Sequence, residues 1–316
     1  FVHVGVGFAY ALVVLATALA RAGADPIVVV CLTTCAAGAV AIAVTFARRV
    51  PSREWYAVLV VTAVPFAIGV LQVVFERSGW TALSTAVIFC LALTLVTTTR
   101  PGLGIVVRTL AAATLVPAVA VVAVCLGAQL LPMSGSPIVL PVIAAIVAGV
   151  LASADLLAGA LSRRLPAAPV RAAGLAVEAS ALLTAVIAVG LSLVRTSAGL
   201  PTTLLVLVIL GIGFVATALF SPRRYAWPLA GTAFTGALWS AWGIVGVTGL
   251  EPYLLPPALG VAIVAAWLTA RGRPAVGLYS VGLAVAVVPV LIALALDGTD
   301  AAMPVFSMDA GFPARA

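Results

Sequence analysis

Two carboxylates lie inside otherwise apolar stretches of the chain, where an ionised group is costly and is therefore a default candidate for function. Asp155 lies eight residues before Arg163, and Glu178 lies seven residues after Arg171. If both stretches are helices joined by the loop between these arginines, a rise of about 1.5 Å per residue places both carboxylates roughly 10–12 Å from that loop. Two carboxylates at one depth can share a proton, which is the chemistry of a proton- or cation-coupled carrier.

The same two carboxylates have a simpler interpretation as partners of nearby arginines. A long guanidinium side chain can reach along a helix from the membrane interface and meet a carboxylate at shallow depth. Arg108, Arg163, Arg164 and Arg171 are the arginines that the sequence places near this level. Asp155, Glu178 and Arg108 together form the candidate intramembrane polar site, either as a coupling site or as an ion-paired cluster.

A second polar group surrounds the stretch "GLEPYLLPPALG", residues 249–260, which lies between two apolar runs. Glu251 and Tyr253, with Trp239 and Trp242 from the preceding run, form a candidate pocket on the outer face. The alternative is a capped helix entry. Proline is tolerated in a first helical turn, a carboxylate there is stabilised by the helix dipole, and aromatic rings anchor helix ends at the membrane interface.

The elements that carry these residues are predicted from composition. Of the 316 residues, 64% are hydrophobic and 8% are charged, whereas soluble domains contain about 25% charged residues. Lipid must therefore surround most of the chain, and uninterrupted apolar runs of about 20 residues predict membrane-spanning helices. The fold class is an all-α polytopic transmembrane bundle. The predicted spans are 2–20, 26–47, 55–75, 80–99, 107–131, 136–161, 171–194, 200–220, 226–247, 253–270 and 275–296.

The positive charges predict the orientation of these eleven spans. All sixteen basic residues are arginines. Twelve of them lie in or beside the loops that follow even-numbered spans: Arg48, Arg49, Arg53, Arg100, Arg108, Arg163, Arg164, Arg171, Arg223, Arg224, Arg271 and Arg273. Because positively charged loops stay in the cytoplasm, these loops and the visible N-terminus are predicted to be cytoplasmic, in a protein of the cell membrane. Residues 297–316 are then an extracytoplasmic loop or a disordered tail.

The even-numbered spans also end alike, with arginine followed closely by proline, as in "TTTRPGLG" and "SRRLPAAPV". This rhythm favours tandem two-helix hairpins within a single transmembrane domain, residues 1–296. The alternative is that no duplication occurred, because any protein with evenly spaced spans and positively charged cytoplasmic loops shows the same pattern. Because the chain begins at Phe1 and is apolar at once, it is expected to be a fragment of a longer protein.

Several function classes find no support in the sequence. The arginines lie singly or in pairs at span ends, which does not indicate nucleic-acid binding. The single histidine, His3, and the four cysteines form no metal set or nucleophile–base pair, so no cofactor is expected. The partners that remain are the lipid bilayer and a small-molecule or lipid-linked substrate, and protein partners are not specified.

One region resembles a known family. It reads Glu251-Pro-Tyr253-Leu-Leu-Pro256-Pro-Ala258, then Arg273-Pro274, Tyr279-Ser280-Val-Gly282-Leu283 and Val288-Pro289. This is similar to the "E-x-Y-x-L-P-x-A" signature of large, uncharacterised actinobacterial multi-pass membrane proteins, over residues 249–292. Val281 and Val290 depart from it, because the family often has proline and serine there. The zinc-ribbon-like segment that often precedes the family's helices is not visible. The resemblance implies a membrane-embedded helical array and no known activity.

Three functions remain open. The best interpretation is a transporter- or permease-like module for a small or lipid-linked solute, and Pro65 and Pro117 inside spans are a hint of the broken helices that transporters use. A non-catalytic membrane scaffold or assembly module is the alternative. A membrane-embedded enzyme acting on lipid-linked sugars is third, and no enzymatic activity is indicated. Transport predicts a water-filled cavity that reaches Asp155 or Glu178, and scaffolding predicts a solid bundle.

Overall fold

The computed structural model of the chain describes residues 1–47, 49–76, 78–130, 138–194, 199–221, 223–247, 251–272 and 274–297. Within these ranges the chain forms helices and connecting loops, without strands. The helices are α1 Val2–Arg21, α2 Pro26–Phe46, α3 Ser52–Phe75, α4 Gly79–Thr97, α5 Ile105–Leu130, α6 Val139–Ser162, α7 Ala167–Val194, α8 Gly199–Phe220, α9 Ala226–Val245, α10 Glu251–Ala270 and α11 Val276–Asp297. The all-helical fold predicted from the sequence is therefore confirmed. The tail beyond Asp297 lies outside the described residues.

Each predicted span corresponds to one helix, with boundaries that agree within four residues. The largest difference is at α7, which begins at Ala167 rather than at residue 171. Proline is tolerated in the first turn of a helix, so Pro169 does not delay its start. Arginine is a good helix former, so Arg171 lies inside the helix instead of marking its end.

Among the described residues, α1 to α8 and α10 are long and apolar enough to cross a membrane. Helix α9 is not in this group, and the described apolar stretch of α11 is Val276–Val288. Large aliphatic side chains cover the outer faces: Leu156 is 78% exposed and Val194 is 80% exposed. Lipid stabilises such a surface and water does not. The chain is a membrane-embedded, multi-pass helical protein.

The packing of the helices repeats after four helices. In the first unit, α1–α4, extensive contacts join α1 to α2 and α3, α2 to α3 and α4, and α3 to α4. In the second unit, α5–α8, the corresponding helices pack in the same pairs, and α5 and α9 pack on the last helix of the preceding unit. The repeat is thus two hairpins, twice the predicted hairpin. An arginine-containing loop follows every hairpin because arginine marks the side of the membrane on which the loop lies. The packing pattern has a longer repeat because it depends on which side chains of different helices meet.

One buried core is centred on each unit, and each extends to helices beyond that unit. In the first, Trp55, Leu91 and Leu95 pack with alanines of α2, α4 and α5. In the second, α6 and α8 provide large side chains such as Leu151 and Phe214, against alanines of α7 and α9. Alanine brings helix backbones close together, which is how helices associate in lipid, where burial of apolar surface gives little driving force.

Two glycines of α8 bring helices into close contact. A Cβ added at Gly213 would lie 2.7 Å from Cα of Ala148, so α8 touches the backbone of α6 at this point. A Cβ at Gly211 would lie 2.9 Å from the Phe234 ring. Gly149 has open space where its Cβ would be, because Ala148 one residue earlier makes the contact.

The prolines inside α3 and α5 do not break these helices. Both helices continue through Pro65 and Pro117, and the Thr34 hydroxyl of α2 donates a hydrogen bond to the Pro65 carbonyl at 3.2 Å. The mid-span breaks that would support a transporter are therefore not formed by these two residues.

Candidate functional site

The loops after α2, α4, α6 and α8 lie on one face of the bundle, which we call the arginine face (described residues 47, 49–51, 98–104, 163–166, 221 and 223–225). Arg100 donates hydrogen bonds into the loop after α2, and a cleft connects the loops after α4 and α6. Arg223, in the loop after α8, reaches Asp155 in the C-terminal half of α6. The sequence predicted that these loops share a side, and the contacts agree.

Asp155 and Glu178 are brought together on this face by Arg223. The Nη1 atom of Arg223 lies 2.6 Å from Oδ1 of Asp155, and its Nη2 atom forms an ion pair with Oε1 of Glu178. One guanidinium therefore joins α6, α7 and the loop between α8 and α9. The expectation that the two carboxylates lie at one level fits this geometry.

Two hydroxyl groups complete this charge network, which consists of Asp155, Glu178, Ser221, Arg223 and Tyr225. Ser221 donates to Oδ2 of Asp155 at 2.5 Å and accepts from Nη1 of Arg223 at 3.0 Å. Tyr225 donates to Oε2 of Glu178 at 3.1 Å. With both carboxylates ionised, the network carries one more negative than positive charge. The Asp155 side chain is 43% exposed and that of Glu178 is 8% exposed, so the network runs from an open to a buried end.

The two members in the loop have shifted pKa values. Burial alone would lower the pKa of the Arg223 guanidinium, but its hydrogen bonds and charge interactions with Glu178 and Asp155 raise the pKa above its usual range. Burial and the nearby Glu178 carboxylate raise the pKa of Tyr225 to about 12. Arg223 is therefore a fixed cation, and Tyr225 remains a hydrogen-bond donor at physiological pH.

Arg108 is not part of this network. It is 4% exposed, and its Nη1 and Nη2 atoms donate to the carbonyls of Val96 and Thr98, at 3.2 and 3.0 Å. It thus satisfies carbonyl groups at the C-terminal end of α4. The arginine that pairs with both carboxylates in the described structure is Arg223. It is not one of the four arginines that the sequence suggested as partners. Arg223 is distant along the chain, and the packing of α6 on α8 that brings it close has no signal in the sequence.

Arg100 occupies the corresponding position in the first unit, directly after the fourth helix. It donates to the carbonyls of Thr45 and Ala47, at 3.1 and 3.3 Å, and also to those of Val44 and Val50. Its guanidinium lies 4.9 Å from the ring centre of Trp55. In both units, then, the arginine after the fourth helix folds back on the second helix or on the loop that follows it. Neutral carbonyls hold it in one unit and carboxylates in the other.

The candidate outer pocket is partly assembled at the contact between α9 and α10. Trp239 Nε1 donates to the Tyr253 carbonyl at 2.7 Å, and the Tyr253 hydroxyl donates to the Val247 carbonyl at 2.9 Å. The buried Nε1 of Trp242 has no partner among the described residues. The Glu251 side chain lies outside the described part of the structure. The Trp239 and Tyr253 contacts tie α9 to α10, as expected for an anchored helix entry.

The remaining motifs have structural roles. Cys31 and Cys35 are free thiols with their sulfur atoms 4.0 Å apart, and Cys31 donates to the Trp80 carbonyl at 3.1 Å. The described residues contain no group of three or more histidine, cysteine or acidic side chains that could hold a metal. In the resembling region, a Cβ at Gly282 would lie 3.3 Å from the Ala258 carbonyl oxygen, so these two small residues bring α10 and α11 close together.

Comparison of the chain with protein-family models, with curated proteins and with solved structures finds no match.

Proposed function

We propose that this membrane protein is a transporter- or permease-like module for a small or lipid-linked solute, coupled to protons or monovalent cations at the charge network. One observation carries the proposal: two carboxylates on neighbouring helices share a single guanidinium. This arrangement has a negative charge in excess, which a proton or a cation can neutralise. Intramembrane acidic groups of this kind are typical of ion pathways.

The geometry suggests how coupling would work. Asp155 is the half-exposed end and exchanges protons with water, while the nearly buried Glu178 is held by Arg223 and Tyr225. Protonation of either carboxylate weakens its attraction to Arg223, which lies in a loop and not in a helix. The loop after α8 is then free to shift relative to α6 and α7.

The test replaces the two carboxylates with amides of nearly the same size and shape, which removes their negative charges. Vesicles reconstituted with the wild-type protein are expected to dissipate an imposed pH gradient faster than protein-free vesicles, measured with an enclosed pH-sensitive dye. The Asp155→Asn/Glu178→Gln variant should fold, because both amides retain an oxygen that accepts from Arg223, and should lower this flux to the protein-free level. Ser153→Ala, two residues before Asp155 on the same helix, is the matched control. Equal flux with the variant and the wild type would reject the coupled-transport proposal.

A membrane scaffold is the second candidate, and a specific observation favours it. The charge network fastens α6, α7 and the loop after α8. One cleft lies between the loops after α4 and α6 and a second lies between α1 and α3, and neither is lined by Asp155 or Glu178. A scaffold requires the network for stability alone. In the same experiment, a scaffold predicts vesicles as tight as protein-free ones, together with lower stability of the double variant.

We also propose that the arginine face is cytoplasmic, that the N-terminus lies on that side and that residues 297–316 lie outside the cell. The excess of arginine in the loops of this face supports the orientation. In a background without native cysteines, a membrane-impermeant maleimide applied to intact cells should label Ala22→Cys and leave Arg163→Cys unlabelled until the membrane is opened. The reverse pattern would contradict the orientation.

Membership of the actinobacterial membrane-protein family remains a proposal. It is supported by the signature residues of α10 and α11 and by the close approach of Gly282 to Ala258, which gives two of them a packing role. The lipid bilayer is the proposed partner, with a small or lipid-linked solute as the substrate.

A further inference from the structure

A cleft of about 380 Å³ opens on the arginine face, between the loop after α4 and the loop after α6. Arg100, Arg108 and Arg164 line it, together with Thr99 and Pro166. Its volume falls in the range of small-ligand pockets, about 300–1,000 Å³. The cleft joins the first unit to the second and is separate from the charge network.

The charge of this cleft is unbalanced. Three arginine residues line it and no acidic residue does. Both ion pairs of the described residues belong to Arg223, so none of these three arginines has a carboxylate partner there. Arg108 is nearly buried and is hydrogen-bonded only to neutral carbonyls. A buried charge is stabilised by a counter-ion, and the described residues provide none at this position.

The arginines differ in how far they are already engaged. Arg100 and Arg108 line the cleft, and their guanidinium groups are fixed by backbone carbonyls of α2 and of the loop after α4. Arg164 is exposed, and its side chain forms no ion pair or hydrogen bond with the described residues. Helix α5 begins at Ile105, on the cleft wall, and this positive helix end adds to the field. Two fixed cations and one free guanidinium suit an anion that enters from the arginine face.

We propose that this cleft binds a phosphate group of an anionic ligand. Arginine is the side chain best suited to phosphate because its planar fork can donate two hydrogen bonds to the phosphate oxygens. The phosphate is carried either by a lipid headgroup or by a soluble phosphate compound. Basic pockets between membrane helices bind such lipid headgroups.

The experiment uses the purified full chain in a neutral detergent at about 0.5 M salt, where diffuse attraction between charges is largely screened. Native mass spectrometry measures the binding of phosphatidylglycerol, of phosphatidylcholine and of inorganic pyrophosphate. The test variant is Arg164→Glu. Its matched control is Arg163→Glu, which makes the same charge change at the adjacent exposed residue outside the cleft lining.

We expect one phosphatidylglycerol or one pyrophosphate to bind. Arg164→Glu should weaken this binding by at least about fivefold, since one arginine near an anionic surface contributes about 1 kcal/mol, which is about fivefold in affinity. Arg163→Glu should weaken it less than about threefold. Binding of phosphatidylglycerol alone identifies a lipid headgroup, and competition by pyrophosphate identifies a soluble phosphate compound. Equal losses in the two variants, or no binding of either phosphate probe, would overturn the proposal.

Discussion

Replacing Arg223 with glutamine should lower the free energy of unfolding by about 3 kcal/mol, the effect of removing one partner from a buried ion pair. The reason is that Glu178, nearly buried, would keep its charge without a cation. The measurement is unfolding of the purified protein in mixed micelles, followed by tryptophan fluorescence. Arg224→Gln is the matched control, because Arg224 is exposed and adjacent, and should change stability by less than about 0.5 kcal/mol.

A second substitution separates the loss of charge pairing from the loss of packing. If the cost of Arg223→Gln comes from the unpaired carboxylate, adding Glu178→Gln should restore about half of the lost stability, because the buried charge is then gone. No recovery in the double variant would show that Arg223 stabilises the protein through packing rather than through Glu178.

Replacing Trp55 with alanine should cost about 4 kcal/mol, in the range measured when a large buried aromatic side chain is removed. Trp55 is 0% exposed, donates a hydrogen bond from Nε1 to the Thr45 hydroxyl at 2.9 Å and lies beneath the Arg100 guanidinium. Its loss leaves a cavity and deprives Arg100 of its stacking partner. The measurement is the same unfolding experiment in micelles.

Two variants make this prediction specific. Trp55→Phe keeps a ring and loses the hydrogen bond, and should cost about 1–2 kcal/mol. Trp227→Ala removes a tryptophan that is 54% exposed, and should cost less than about 1 kcal/mol. If Trp227→Ala is as destabilising as Trp55→Ala, the buried position of Trp55 does not explain its effect.

The sequence was sufficient to predict the helices and the face on which the arginines lie. Both follow from local rules, since a span needs about 20 apolar residues and arginines cluster on one side. Asp155 and Glu178 could be singled out for the same reason, because an acidic group within an apolar run is visible without a structure.

The partner of these carboxylates could not be predicted in this way. Arg223 reaches them because α8 packs against α6, and the small residues that allow this, Gly213 and Ala148, are two among many in an alanine-rich chain. For the same reason the four-helix repeat was missed. The loops have similar arginine- and proline-containing sequences after every hairpin, so they do not distinguish one hairpin from the next. Which non-adjacent helices pack together depends on how their side chains fit in three dimensions.

The repeat of four helices constrains how this protein could move. Because four is an even number, matching helices such as α1 and α5 run in the same direction, so the two units are related as direct and not as inverted copies. In inverted copies, an exchange of conformation between halves converts an inward-open state to an outward-open one. Direct copies lack that symmetry. An alternating-access motion here would instead be a rocking of one unit against the other, with the α4–α5 packing seam as its pivot.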